Sequence, residues 1–132
     1  MIDGESLNQF IKNEDYTYNE SDALEIIHDL LLALNYLHGL DYMHRDIKPA
    51  NIMLQKKNNY ENCTSLKSNW NIILIDFGLC APNWDHSPNS FLHDRSGTVG
   101  YLAPELIQKD SEKKFYDKKI DVFSIGVVLV EM

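Results

Sequence analysis

The sequence predicts an α+β fold, mainly helical, with a small β-hairpin. Three observations carry that expectation. Leu24, Ile27, Leu30, Leu31, Leu34 and Leu37 recur at three- and four-residue steps, the spacing of one apolar stripe on a helix. Two short apolar runs, Ile52 to Leu54 and Ile72 to Ile75, are rich in β-formers and flanked by polar residues, as strands are. The stretch from about Ile120 to Met132 is apolar nearly all round, through Val122, Phe123, Ile125, Val127, Val128, Leu129 and Val130. A helix of that kind needs cover on every side.

The first helix is expected from about Asn19 to His38. Asn19 suits the N-cap, and Asp22, three residues later, completes a capping-box-like pair. Gly39 stands where a left-handed C-terminal cap would fall. A loop follows from His44 to Asn51, broken by Pro49. The two strands come next. Their polar linker, Gln55 to Asn71, is too long for a tight hairpin turn and reads as a surface excursion, with no function assigned to it. Residues 80–100 hold Pro82, Pro88, Gly97 and Gly100 among Ser, Asn and Asp, which predicts a long loop that is functional or disordered. Pro104 is suited to open a short helix reaching Lys109. No internal repeat or low-complexity segment is visible.

A chain of 132 residues, 44% apolar and 24% charged, has the size and balance of one small soluble domain. Its net charge is −8, with the acidic residues spread along its length. That excludes the clustered basic face of a nucleic-acid binder. Cys63 and Cys80 lie too far apart for a close zinc-ligand pair and are too few for a disulfide scaffold, which points to a reducing compartment. The N-terminus, MIDGESLNQF, lacks the basic start and apolar core of a secretory signal. The longest strongly apolar runs, Leu30 to Leu34 and Ile125 to Val130, are far short of a membrane span. The expectation is an intracellular protein, cytoplasmic before nuclear, with neither nucleic acid nor membrane as partner.

The chemistry concentrates in His44-Arg45-Asp46-Ile47-Lys48-Pro49-Ala50-Asn51. An His-Arg-Asp tripeptide is followed, five residues after the Asp, by an Asn. Asp76-Phe77-Gly78 and then Ala103-Pro104-Glu105 follow in order. At about one chance in twenty per position, His, Arg, Asp and Asn alone coincide at a given start roughly once in 10⁵. The ordered set resembles the protein kinase superfamily, which carries these three motifs in this sequence. A lone Asp-Phe-Gly would be weak; the set is specific.

The resemblance implies a phosphoryl transferase using ATP and Mg²⁺ on a protein substrate. Such a reaction needs a nucleophile held in line and phosphate charge neutralised, more than covalent help. By resemblance, Asp46 accepts the hydrogen bond and then the proton of the substrate hydroxyl. Asn51 and Asp76 offer Mg²⁺ hard oxygens. Lys48, two residues after Asp46, resembles the serine/threonine branch, where it contacts the transferring phosphate. Gly97-Thr98 with Tyr101 before Ala103 resembles the same branch. It places Thr98 near Asp46 and Lys48, and Tyr101 and Leu102 under the residue after the target. Glu5 and Met53 fall where the ATP ribose and adenine are contacted. His44 is expected to brace the Asp-Phe-Gly backbone, Phe77 to pack in the core, and Asp121 to brace the loop backbone. Glu105 has a distant Arg partner in the family that this sequence does not contain.

Arg45, in kinases of this kind, commonly pairs with a phosphate added by an upstream activating kinase. Ser87, Ser90 and Ser96 are the candidate acceptors, Ser96 slightly favoured for lying just before Gly97-Thr98. Each reads equally well as an ordinary loop serine. Cys80 reads as a spectator thiol rather than a redox site. Lys109, Lys113, Lys114, Lys118 and Lys119 read as a solvated surface rather than a docking patch.

The resemblance spans residues 1–132 as a partial kinase domain, a protein-kinase-like C-lobe fragment incomplete at both ends. Residues 1–7 resemble the tail of the hinge between the lobes. The N-lobe is absent: no Gly-x-Gly-x-x-Gly and no Val-Ala-Ile-Lys-like stretch occurs. Met1 inside the hinge suggests an incomplete or split domain. Alone, these residues are expected to be poorly soluble and to transfer no phosphate. Two rivals stay open: a non-catalytic, truncated kinase-like binding protein, and a piece that misfolds. Intact Asp46, Asn51 and Asp76 argue against the first.

Overall fold

The computed structural model describes residues 4–13, 19–56, 70–83, 96–107 and 116–132. Helix predominates, over two small antiparallel sheets. The chain enters as a short strand β1 (Glu5–Ser6) and a short helix α1 (Leu7–Lys12), neither of which the sequence reading anticipated. Ser6 caps α1: its Oγ accepts from the Gln9 amide while Gln9 Oε1 accepts from the Ser6 amide. Two orphan donors are thereby satisfied at once. Leu7 and Phe10 turn inward.

The long helix α2 (Glu20–Gly39) begins where expected. Asn19 Oδ1 accepts from the Asp22 amide at 3.1 Å, and Asp22 Oδ2 accepts from the Asn19 amide at 2.9 Å. Its buried face differs from the predicted stripe. Ala23, Ile26, Ile27, Leu30 and Leu34 face the core, while Leu24 and Leu31 face out. Gly39 is not a left-handed cap either. It closes the last helical turn, and the left-handed conformation falls on Asp41, with φ of 58°.

The predicted strands are β3 (Ile52–Lys56) and β4 (Trp70–Leu74), following β2 (Tyr42–Met43). They pair antiparallel from Ile52 opposite Leu74 to Lys56 opposite Trp70. β1 adds to the other edge of β3, so the sheet order is β1-β3-β4. Residues 57–69, most of the linker, lie outside the described residues. A second sheet pairs β2 with β5 (Ala81–Pro82).

Helix α3 (Pro104–Ile107) starts at Pro104 as expected, and its predicted end at Lys109 lies outside the described residues. Helix α4 (Lys119–Glu131) follows. It buries Ile120, Asp121, Ser124, Ile125 and Val128. Its other face leaves Val122, Phe123, Leu129 and Val130 exposed. No helix among the described residues is long and apolar enough to cross a membrane.

One core joins α1, α2, the three-stranded sheet and α4 through residues such as Leu7, Leu30, Leu34, Ile52, Leu54 and Val128. Ile47, from the loop after β2, is buried in the same cluster and anchors that loop from below. A smaller core of Met43, Ala103, Leu106, Tyr116 and Ile120 joins α3 to the start of α4. The loop at 44–51 therefore sits between two packed bodies.

Candidate active site

The His44–Asn51 loop is held from beneath by one carboxylate. Asp121, fully buried in the first turn of α4, accepts from the His44 amide at 2.9 Å and the Arg45 amide at 2.8 Å. His38 Nε2 lies 2.9 Å from the same carboxylate. Arg45 has φ of 66°, a left-handed conformation uncommon outside glycine. Two amides bonded to one carboxylate keep it there.

His44 reaches the other way. Its Nε2–H donates to the Ile75 carbonyl at 3.0 Å, and its Nδ1 accepts from the Asp46 amide at 3.3 Å. Both bonds require the neutral Nε2–H tautomer. Burial lowers the His44 pKa from its ordinary value, outweighing the Ile75 hydrogen bond and the nearby Asp121, Asp46 and Asp76 charges, which raise it. The unfolded chain then takes up this proton first as pH falls. Stability is expected to decline as pH drops below about 6.5. His44→Gln, which keeps a donor for Ile75, is expected to flatten that limb in thermal melts.

Asp46 is the centre of the site. Its Oδ2 accepts from Lys48 Nζ at 2.7 Å and from Asn51 Nδ2 at 3.0 Å. Its Oδ1 accepts from Thr98 Oγ1 at 2.6 Å. Lys48 Nζ also donates to Thr98 Oγ1 at 2.8 Å, which closes a ring of contacts across 50 residues of sequence. Burial alone would raise the Asp46 pKa. Hydrogen bonds from Lys48 and Thr98, the Lys48 charge and the Asn51 hydrogen bond outweigh it and hold the carboxyl below its ordinary value. A carboxylate has about four acceptor positions. These three side chains use three of them and leave one on Oδ1.

Thr98 owes its place to Gly97. Gly97 has φ of 135°, and a Cβ there would lie 2.6 Å from a Leu102 methyl and 2.9 Å from the Arg45 carbonyl oxygen. Gly97→Ala is expected to push Thr98 off Asp46. Strain of this kind costs about 1–3 kcal/mol, which a melt of the variant would read.

Asp76 follows β4 at a left-handed corner, φ 62°. Its Oδ1 accepts from the Gly78 amide at 3.2 Å, starting a 3₁₀ turn over Phe77–Leu79. The carboxylate is exposed. Asn51 lies next to this corner, because its own carbonyl accepts from the Ile75 amide at 2.9 Å. With Asn51 Nδ2 donated to both the Asp46 carboxylate and its carbonyl, Oδ1 is the amide's remaining acceptor. Phe77 departs from the expected core packing. It is 51% exposed, its ring inclined 61° to that of His44 at a centroid distance of 5.0 Å.

A family model described as the protein kinase domain matches residues 1–132. The chain belongs to the eukaryotic protein kinase superfamily, serine/threonine type. It is 33% identical to myosin light chain kinase A of Dictyostelium discoideum over 85% of this chain and 32% of that protein. It is 36% identical to a probable serine/threonine-protein kinase of the same organism over 100% of this chain and 19% of that protein. It is 39% identical to human serine/threonine-protein kinase Sgk1 over 79% of this chain and 20% of that protein. The chain thus spans only 19% to 32% of the length of these relatives.

The other residues singled out from sequence are spread around this centre. Glu5 lies on β1 opposite Leu54, and Met53 lies on β3 between Ser6 and Ile73. Ile52 and Leu54 are buried, so the alternation of the strand turns Met53 to the opposite, half-open face. Tyr101 donates from its hydroxyl to both carboxylate oxygens of Glu131, at 2.9 and 2.8 Å. Burial, then the Glu131 hydrogen bond and charge, push its pKa up to about 12. Ser124 Oγ donates to the Tyr101 carbonyl at 2.8 Å, and Leu102 packs on the smaller core. Glu105 is exposed and makes no ion pair among the described residues. Ser96 directly precedes Gly97, while Ser87 and Ser90 lie outside the described residues. Burial, then the Asp121 charge, raises the Cys80 pKa, so this thiol resists ionisation.

Three residues bonded to these side chains were not singled out from sequence. His38 ends α2 against Asp121, Glu131 ends α4 against Tyr101, and Tyr116 donates no motif yet touches Arg45. Nothing local marks them, since each acts through a partner at least 30 residues away.

Proposed function

We propose that this chain supplies the catalytic-loop region of a serine/threonine protein kinase, within its mainly helical large lobe. The complete protein would move the γ-phosphate of ATP to a serine or threonine hydroxyl of a protein substrate. The supporting observation is the Asp46 carboxylate, ionised and gripped by Lys48, Thr98 and Asn51 with one acceptor position spare. That position suits a hydroxyl proton.

Asp46 accepts the hydrogen bond of the incoming hydroxyl, orients its oxygen and takes the proton as transfer proceeds. Lys48 and Thr98 fix the carboxylate's plane, and the Lys48 ammonium puts positive charge beside the transferring phosphate. Asn51 Oδ1 and the exposed Asp76 carboxylate are the residues that would hold Mg²⁺. The pair fits that ion, which takes hard oxygens, few carboxylates and several waters. Among the described residues no group of three or more His, Cys, Asp and Glu converges as a fuller metal site. When bound, Mg²⁺ and ATP supply the phosphoryl group and the charge neutralisation it needs. Glu5 is the proposed ribose contact and Met53 the adenine floor. Tyr101 and Leu102 shape the substrate floor, and Arg45 with Ser87, Ser90 or Ser96 forms the regulatory pair. An intracellular location, where ATP is abundant, belongs to the same reading.

The experiment is a pH profile of phosphate transfer from ATP to a serine peptide by the complete protein. The acid limb is expected below the ordinary carboxylate range. Thr98→Val removes one hydrogen bond that lowers the Asp46 pKa, so the limb is expected to move to higher pH. A limb that stays put removes Asp46 as the titrating group. A wild-type protein that binds ATP but transfers nothing would favour the non-catalytic reading.

A further inference from the structure

Arg45 stands between His44 and Asp46 with its side chain folded back into the protein, 8% exposed. Its Nε donates to the Leu79 carbonyl at 2.6 Å. Its Nη1 donates to the Tyr116 hydroxyl oxygen at 3.1 Å. Leu79 closes the turn that begins at Asp76. The Arg45 side chain is therefore a strut from the Asp46 loop to the Asp76 turn.

Tyr116 is well placed to fix that strut. It comes from the segment just before α4 and is 9% exposed, packed with Met43, Ala103, Leu106 and Ile120. Packing settles the ring, and the hydroxyl is then aimed. A guanidinium is a rigid planar fork. Two of its nitrogens bonded to oxygens on two separate segments define its plane. Asp121, four residues before Ile125 on α4, holds the Arg45 main chain, so backbone and side chain are tied to the same region.

We infer that Tyr116 is a positioning residue, its hydroxyl holding the Arg45 guanidinium between Asp46 and Asp76 so that the spacing of these two carboxylates is set by an oxygen built into the fold. The functional half of this inference rests on the kinase reading above. The structural half rests on the geometry alone.

The test uses the complete protein and Tyr116→Phe, which keeps the ring and removes only the hydroxyl. Amide exchange at residues 44–51 and 76–80 is expected to speed up about tenfold to a hundredfold, the scale of one lost hydrogen bond to a charged group. Turnover is expected to fall by a similar factor, with KM for ATP and peptide held within about twofold. In an Arg45→Gln background, Tyr116→Phe is expected to add nothing. Unchanged exchange in both segments, or a full additional effect in the Arg45→Gln background, would overturn the inference. If the wild type transfers no phosphate, the kinase reading falls while the exchange data still decide the positioning claim. Should Tyr116→Phe not fold, Arg45→Gln alone decides: unchanged exchange at 76–80 overturns the strut.

Discussion

Asp46→Asn is expected to slow phosphate transfer by about 100- to 10,000-fold, the range for losing a positioned proton acceptor. Nucleotide affinity is expected to stay nearly the same, because the proposed Mg²⁺ ligands Asn51 and Asp76 remain. The substitution removes the negative charge and gives one side of the group an NH₂. That NH₂ then faces the donors Lys48 Nζ and Asn51 Nδ2 on one side, or on the other Thr98 Oγ1, whose hydroxyl must turn from donor to acceptor. Part of the loss is thus misplacement of Lys48. Measuring single-turnover transfer and ATP affinity on the same samples separates the two, since only the first is expected to change by orders of magnitude.

Asp121→Asn is expected to have the largest effect on stability. Asp121 is fully buried and its two oxygens serve the His44 amide, the Arg45 amide and His38. An amide side chain keeps one acceptor and confronts at least one of these donors with another donor. Each orphaned buried donor costs roughly 1–3 kcal/mol. Against a domain stability of about 5–15 kcal/mol, that is a large share. The melting temperature is expected to fall on the order of 10 °C. Transfer is expected to fall with it, because Arg45 loses the bond that holds its left-handed φ. An unchanged melt would mean that the loop is held mainly by Ile47 in the core and by His44 on Ile75.

The site was legible where its parts are local. His44 to Asn51 and Asp76 to Gly78 are contiguous, and the family's order gave each a role to expect. The long helix was legible through Asn19, Asp22 and its apolar period. Its buried face was not. Periodicity defines a stripe about 100° wide, and the neighbouring sheet and α4 decide which edge of that stripe is covered. Here they cover Ala23 and Ile26 and leave Leu24 and Leu31 out. α1 was missed although Ser6 and Gln9 spell a capping box. Six residues are too few for a periodic signal. The Gly39 expectation failed because the helix ran through the glycine and the left-handed turn fell on Asp41, whose type tolerates it. Tyr116 and His38 were invisible for a different reason. Their partners, Arg45 and Asp121, lie 71 and 83 residues away, and only the packing of the smaller core and α4 brings them together.

The most direct test of the central claim is to identify the phosphorylated product. The complete protein would be given γ-labelled ATP, Mg²⁺ and matched peptides offering serine, threonine or tyrosine, beside its Asp46→Asn and Asp76→Asn variants. The account predicts label on serine or threonine, little on tyrosine, and near-background transfer by either variant. Label on tyrosine, or transfer that survives both substitutions, would contradict it.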